Sequence, residues 1–187
     1  MDLRLAHTSD LPQLKAMYGK IIAGMEEKNI QIWDEIYPCA FFADDIACSR
    51  LYGLTDGCDI AAAFALCASS AGAGCMQWSC PDTRALYVER FGVNVNDWRK
   101  GVGTLALAKA VACAGALGAA YLRLLAADIN VPAIRLYAKN GFTQVPGAYD
   151  QVIDGGPVLH ELGFEKRTPA PPKKTGGKAY ETFTGRG

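Results

Sequence analysis

Apolar residues recur at Leu11, Leu14, Met17, Tyr18, Ile21, Ile22 and Met25, spacings that place them on one face of a helix. Thr8-Ser9-Asp10 stands ahead of this run as a helix start, with Pro12 near the beginning, where a missing amide proton costs little. Lys28-Asn29 closes the helix, and Asp2 to Ala6 before it alternates as a strand does. Ile30 to Pro38 has no period and ends on a breaker. Ala40 to Arg50 reads as a second helix, with Asp44 and Asp45 turned outward. Leu51–Leu54 and Ile60–Cys67 read as strands about the turn T-D-G-C-D, and Ala68–Pro81, rich in Gly, Ser and Ala, reads as a loop.

The second half is patterned more sharply. Ala85–Val93 reads as a strand, followed by a polar loop ending in W-R-K-G-V-G-T (Trp98–Thr104) and a helix of small residues. Tyr121–Ala127 is a further strand, and D-I-N-V-P-A-I-R-L-Y (Asp128–Tyr137) leads through a short helix to N-G-F (Asn140–Phe142). Gly147–Gly156 reads as a turn-rich link and Val158–Phe164 as the last strand. From Thr168 the chain becomes T-P-A-P-P-K-K-T-G-G-K, poor in apolar residues and rich in breakers. Strands interleaved with few helices predict one mixed α/β domain over 1–165, followed by a basic Pro/Gly-rich tail over 166–187.

Length and charge narrow the classes. The 187 residues suffice for one domain with a substantial core. Nineteen basic and nineteen acidic residues balance, so net charge calls for neither nucleic acid nor a membrane surface. The balance hides an asymmetry: from Lys166 onward six basic residues face only Glu181, leaving the tail about +5 and the body about −5. Such a tail is usually solvated, with a partner-binding arm or dimer strap as the other readings. Seven cysteines without C-x-x-C pairs and only two histidines give no zinc spacing and predict no metal. The odd, unpatterned cysteine count fits a reducing cytoplasm. No apolar run approaches the ~20 residues of a membrane span, and the N-terminus has no secretory apolar run.

The loop at Gly101 carries the first chemistry. Where a glycine loop enters a helix, the first amides point outward unpaired and the aligned peptide dipoles favour an anion. Arg99 and Lys100 beside those amides favour an anion over mere punctuation. G-V-G-T-L-A formally meets the dinucleotide pattern G-x-G-x-x-A, with Asp128 roughly 20-odd residues further on. Polar N-V-N-D-W-R-K between Val93 and Gly101 spoils the tight turn which that pattern requires, and too little chain follows for a doubly wound sheet. A phosphate loop of the Gly-Lys-Ser/Thr kind is excluded by Val102.

The stretch Trp98–Gly103 resembles the central motif of the GNAT N-acetyltransferase superfamily, Q/R-x-x-G-x-G/A, with Gly101 and Gly103 in its last two fixed positions. Trp98 stands at the first, with Arg99 displaced by one. F-G-V-N-V-N (Phe91–Asn96) resembles the lead-in L-A-V-x-P, with Asn96 in place of a common Pro. N-V-P-A-I-R-L-Y-A-K-N-G-F (Asn130–Phe142) matches every fixed position of the second signature, N-x-x-A-x-x-L-Y-x-x-x-G-F. I-Q-I-W-D-E-I-Y-P resembles a bacterial subgroup with a Trp-Asp…Tyr-Pro element before its second helix.

The resemblance covers about Leu3 to Glu165 and implies a mixed, mostly antiparallel central sheet with splayed strands, flanked by helices. It implies transfer of an acetyl group from acetyl-CoA to an amine by direct attack in a ternary complex. The amides of Gly101, Val102, Gly103 and Thr104, aided by Arg99 and Lys100, would hold the pyrophosphate. Backbone groups of the strand carrying Phe91 and Val93 would bond the pantetheine, and one amide would polarise the thioester carbonyl. Asn130 would bond the pantetheine or neighbouring backbone, and Tyr137 would protonate the departing thiolate. Residue chemistry agrees: a phenol of pKa about 10 can donate to a developing thiolate, and a lysine-like amine of pKa about 10.4 needs a base before attack.

Glu89 is the candidate base, being in alternation phase with Phe91 and Val93; an acid beside Arg90 on a strand can equally be a surface group. Tyr137 can likewise be an aromatic packed on the sheet. Trp33, Asp34, Glu35 and Tyr37 fall where this fold builds its acceptor wall, Trp33 and Tyr37 being the substrate-contact candidates, and are otherwise core. A small-molecule amine is favoured because the acidic body attracts cations. A protein N-terminus or lysine, and a non-catalytic CoA-binding module, are the alternatives. A homodimer is the family's habit and the commonest symmetry.

Overall fold

The computed structural model describes residues 1–34, 36–152 and 158–170. Seven strands form one sheet: β1 (Asp2–Leu5), β2 (Leu51–Asp56), β3 (Asp59–Cys67), β4 (Ala85–Val93), β5 (Tyr121–Ala127), β6 (Thr143–Val152) and β7 (Val158–Arg167). Their order across the sheet is β1-β2-β3-β4-β5-β7-β6, and only β4 and β5 run parallel. Helices α1 (Leu11–Glu26) and α2 (Phe42–Ala47) pack with one face of the sheet, α3 (Val102–Ala116) and α4 (Val131–Lys139) with the other. The two-sided covering explains the unbroken apolar run of β3. Ile60, Ala63 and Ala65 pack towards α1, Phe64 and Leu66 towards α3, and all five are buried. Ala106, Ala110 and Ala114, one helical turn apart, are fully buried along α3 and let it lie close on the sheet.

Three local expectations are corrected. Asp10 makes no side-chain cap on α1; its carboxylate accepts from Arg4 at 2.6 and 2.9 Å and from the His7 amide at 2.8 Å. Asp45, expected on an outer face, is fully buried between Arg90 and Arg50. The link expected at Gly147–Gly156 is, up to Val152, strand β6, and residues 153–157 lie outside the described residues. Gly147 misled as a turn signal. It sits at φ 102°, within a register shift between Gln144 and Ala148, and any side chain there would run into the Cys75 carbonyl.

That close approach ties the loop before β4 to the sheet: Gln77 donates to the Pro146 carbonyl, and Met76 bridges to Gly147. A buried ion pair, Arg123 to Glu165, holds the loop's far end through Cys80 and Ser79. The compositional boundary at Lys166 falls inside β7, because strand pairing carries the chain to Arg167 opposite Tyr121. Thr168 is buried and donates to the Ala119 carbonyl. The rest of the tail, from residue 171, lies outside the described residues.

Candidate functional site

β4 and β5 pair only from Ala85↔Tyr121 to Val88↔Leu124; beyond that both strands continue without pairing to each other. The cause lies in β4. Between Glu89 and Gly92 it has one residue more than β3, and Arg90 takes φ 55°. The Tyr18 hydroxyl, wholly buried, reaches the carbonyls of Ala63 and Arg90 and fills the irregularity. A side chain at Gly92 would strike the Tyr18 ring at 2.7 Å, so that glycine is needed for the ring to lie there. The splay opens a cavity of about 1100 Å³ lined by Glu89, Phe91 and Val93 of β4, Leu125 and Ala126 of β5, and the starts of α3 and α4.

At one end lies the glycine loop. Asn94 accepts from the Asn96 amide at 3.1 Å, and the Trp98 indole donates to the Val93 carbonyl at 2.9 Å, fastening the loop to the end of β4. The Trp98 ring also lies against Gly24, where a Cβ would come within 2.9 Å, and under the Lys28 ammonium at 3.8 Å. Trp98 is thus an anchor, and its indole N–H is already used. Gly101 takes φ 84°, a left-handed entry that a side chain would oppose, and the first intrahelical bond runs from Leu105 to Gly101. The amides of the first turn, Val102, Gly103 and Thr104, therefore have no hydrogen-bond partner among the described residues.

Of the residues expected here, Arg99, Gly101, Gly103 and Thr104 border the cavity. Lys100 does not. Arg99 sits at φ 62°, which turns the two side chains apart, and Lys100 is exposed and reaches Asp97 at 3.4 Å. The Val102 side chain is buried in the core, so only its backbone is available. A Cβ on Gly103 would lie 3.0 Å from Leu136, so this glycine first of all lets α3 and α4 approach. That approach brings the cavity-lining Arg135 and Lys139 of α4 beside the loop. With Lys28 they are basic groups that sequence reasoning passed over, because helical periodicity alone does not say which exposed face meets a cleft.

Asn130 caps α4, its side chain accepting from the Ala133 amide at 3.3 Å, and lines the cavity. Tyr137 is buried among Phe91, Phe142 and Phe164, with ring centroids 6.0 to 6.3 Å away. Its hydroxyl makes no hydrogen bond among the described residues, where no buried side-chain polar atom lacks a partner, so it opens to the cavity. Burial, then the Glu89 carboxylate, pushes its pKa upward, so the phenol keeps its proton at neutral pH.

The other end is walled by aromatic rings. Tyr18, Trp33, Tyr37 and Phe41 follow one another at centroid distances of 5.5, 6.5 and 5.5 Å. Trp33 and Tyr37 line the cavity; Asp34 instead accepts from the amides of Ile36 and Tyr37, holding the turn that presents Tyr37. Glu35 lies outside the described residues. Glu89 lines the cavity, its pKa raised by burial against the opposing pull of the Ser70 hydroxyl and Arg90. Glu161 of β7, unnoticed in the sequence, lines the same cavity, and burial and then Glu89 raise its pKa to about 7. Burial, with Glu89 next, pushes the Tyr37 phenol up to about 12. Among the described residues no group of three or more His, Cys, Asp and Glu could hold a metal ion, and no helix is long and apolar enough to cross a membrane.

The profile of the acetyltransferase (GNAT) family matches residues 26–142. No curated protein sequence matches the chain. Among solved structures, a GNAT-family acetyltransferase from Streptococcus agalactiae is similar at 17% identity and TM-score 0.70, over 90% of this chain and 95% of that one. A Salmonella typhimurium protein crystallised with acetyl-CoA is similar at 15% identity and TM-score 0.61, over 89% and 92%. The ribosomal-protein-S18-alanine N-acetyltransferase from Escherichia coli is similar at 16% identity and TM-score 0.61, over 94% and 99%.

Proposed function

This chain belongs to the acetyltransferase (GNAT) family, and from that premise we propose that it acetylates the primary amine of a small molecule by direct attack within a ternary complex. Acetyl-CoA is the cosubstrate of the family, and amines are its acceptors. The observation that carries the finer reading is the division of the splayed cavity. Unpaired helix-start amides with Arg99 stand at one end, and two carboxylates behind an aromatic wall at the other.

The unpartnered amides and the strand edges freed beyond Val88 fit the phosphates and the amide-rich arm of coenzyme A. When bound, acetyl-CoA supplies the thioester whose acetyl group is transferred. The amides of Gly101 to Thr104 with Arg99 hold phosphate. The β4 backbone at Phe91 and Val93, with Asn130, orients the arm and offers an amide to the carbonyl oxygen. Trp33 and Tyr37 exclude water around the acceptor. Glu89 and Glu161 take the proton from the ammonium, and the Tyr137 hydroxyl gives one to the leaving sulfur. In this reading the catalytic unit runs to the end of β7 and the anchored Thr168, the rest of the basic tail is not needed for catalysis, the protein works in a reducing cytoplasm, and it pairs as a homodimer.

Calorimetric titration tests the site. Acetyl-CoA and CoA should both bind and NADH should not, and a panel of small primary amines should then be acetylated. Absence of CoA binding would reduce the glycine loop to a helix entry.

A pH profile tests the carboxylates. A base must be ionised to accept a proton, so kcat/KM should rise as pH passes about 7, the value of Glu161. Glu89 is coupled to it, so the limb belongs to the pair. Stability should move the other way. Glu161 has a folded pKa raised above its ordinary 4.5, so its contribution is complete below about 4.5 and lost as pH rises through about 7. Glu161→Gln should flatten both curves over this window; an unchanged activity limb would take Glu161 out of proton transfer.

A further inference from the structure

We propose that the acceptor is a zwitterionic, amino-acid-like amine with an apolar or aromatic side chain, its ammonium held between Glu89 and Glu161 and its carboxylate by Arg90 and Arg50. The proposal rests on the small-molecule reading above and narrows it.

The arginines carry the argument. The Asp45 carboxylate, fully buried, accepts from Arg90 Nε at 2.7 Å and Nη2 at 3.1 Å, and from Arg50 Nε at 2.6 Å. One carboxylate thus faces two guanidinium groups, with Glu89 near enough to feel the Arg90 charge as well. The Arg90 side chain is 7% exposed and that of Arg50 36%, and both residues line the cavity. Among the described residues no hydrogen bond within 3.5 Å engages Nη1 of Arg90 or either Nη of Arg50; Nη2 of Arg90 also donates to Cys67 Sγ at 3.4 Å, and the Tyr37 hydroxyl lies near enough to share the Arg90 guanidinium. The Nη groups of Arg50, whose side chain is about a third exposed, can exchange water for an incoming carboxylate. Asp45 fixes the Arg90 plane by two bonds on its Nε–Nη2 edge, which leaves Nη1 as the donor available to a carboxylate.

The remaining walls complete the match. Phe41 packs over the Arg90 guanidinium at 5.5 Å and, with Trp33 and Tyr37, offers an apolar surface to a side chain. Glu89 and Glu161 supply the anionic pole. A dication would suit the two carboxylates but would meet the arginines, whereas a zwitterion satisfies both poles.

Initial rates with acetyl-CoA on matched acceptors test this: L-phenylalanine, L-phenylalaninamide and phenethylamine, with L-leucine, L-leucinamide and isoamylamine as a second set. The free acids should exceed the amides and bare amines in kcat/KM by about 10–100-fold, the usual range for a charge-assisted pair. Arg50→Met should collapse that ratio towards one while the Kd for acetyl-CoA, read by calorimetry, stays put. Acids no better than amides, or a ratio that survives Arg50→Met, would overturn the proposal while leaving the small-molecule reading standing. If acetyl-CoA binds and every one of the six compounds is inert, the small-molecule reading itself falls and this inference with it.

Discussion

Tyr137→Phe is expected to lower kcat by roughly 10²–10⁴-fold, the range of a positioned general acid, and to leave the Kd for acetyl-CoA within about twofold. The ring is held by Phe91, Phe142 and Phe164, contacts that phenylalanine keeps. Its hydroxyl bonds to nothing among the described residues, so the deletion orphans no partner. What disappears is the proton that a departing thiolate would take. Steady-state rates beside calorimetry separate the outcomes. Parallel losses in kcat and affinity would mean that the phenol packs or binds, and unchanged rates would mean that water protonates the sulfur.

Asp45→Ala is expected to destabilise the fold by about 3–5 kcal/mol, because it leaves the buried Arg90 guanidinium without its counter-charge. For a chain of this size that is a loss of roughly 6–20 °C in Tm. Urea denaturation with intact m-values would measure it. The double variant Asp45→Leu, Arg90→Met should recover most of the loss, since an apolar pair of similar volume has no desolvation to offset. A cost below about 1 kcal/mol for Asp45→Ala would show that water reaches the pair and screens it as it does surface bridges.

Asp45 also shows where sequence reading fails. In a helical pattern it sits beside Asp44 and looks like a solvated acid. Its partner Arg90 is 45 residues away, and nothing in either segment names the other. Glu161 is hidden in the same way. Its strand was read from the sequence as Val158–Phe164, but the cavity it meets is also lined by Glu89 of β4, 72 residues earlier in the chain. Strand β6 was lost for a different reason. Gly147 signals a turn by composition, whereas here it admits the Cys75 carbonyl from a separate loop.

Trp98 stands between these cases. Its departure from the family motif was visible, but only the folded chain shows the indole bonded to Val93 and packed on α1, with Arg99 beside it lining the cavity.

By itself the sequence determined what depends on neighbours along the chain: the apolar face of α1, the glycine entry to α3, the small-residue stripe that seats that helix, and the frame from Asn130 to Phe142. Those features arise from backbone geometry and periodicity, which act over a few residues. Tertiary structure alone decided which charges are buried, which carboxylates share the cavity, and where β4 leaves β5. Burial and electrostatic coupling depend on distance in space, and folding brings together charges that the chain keeps far apart.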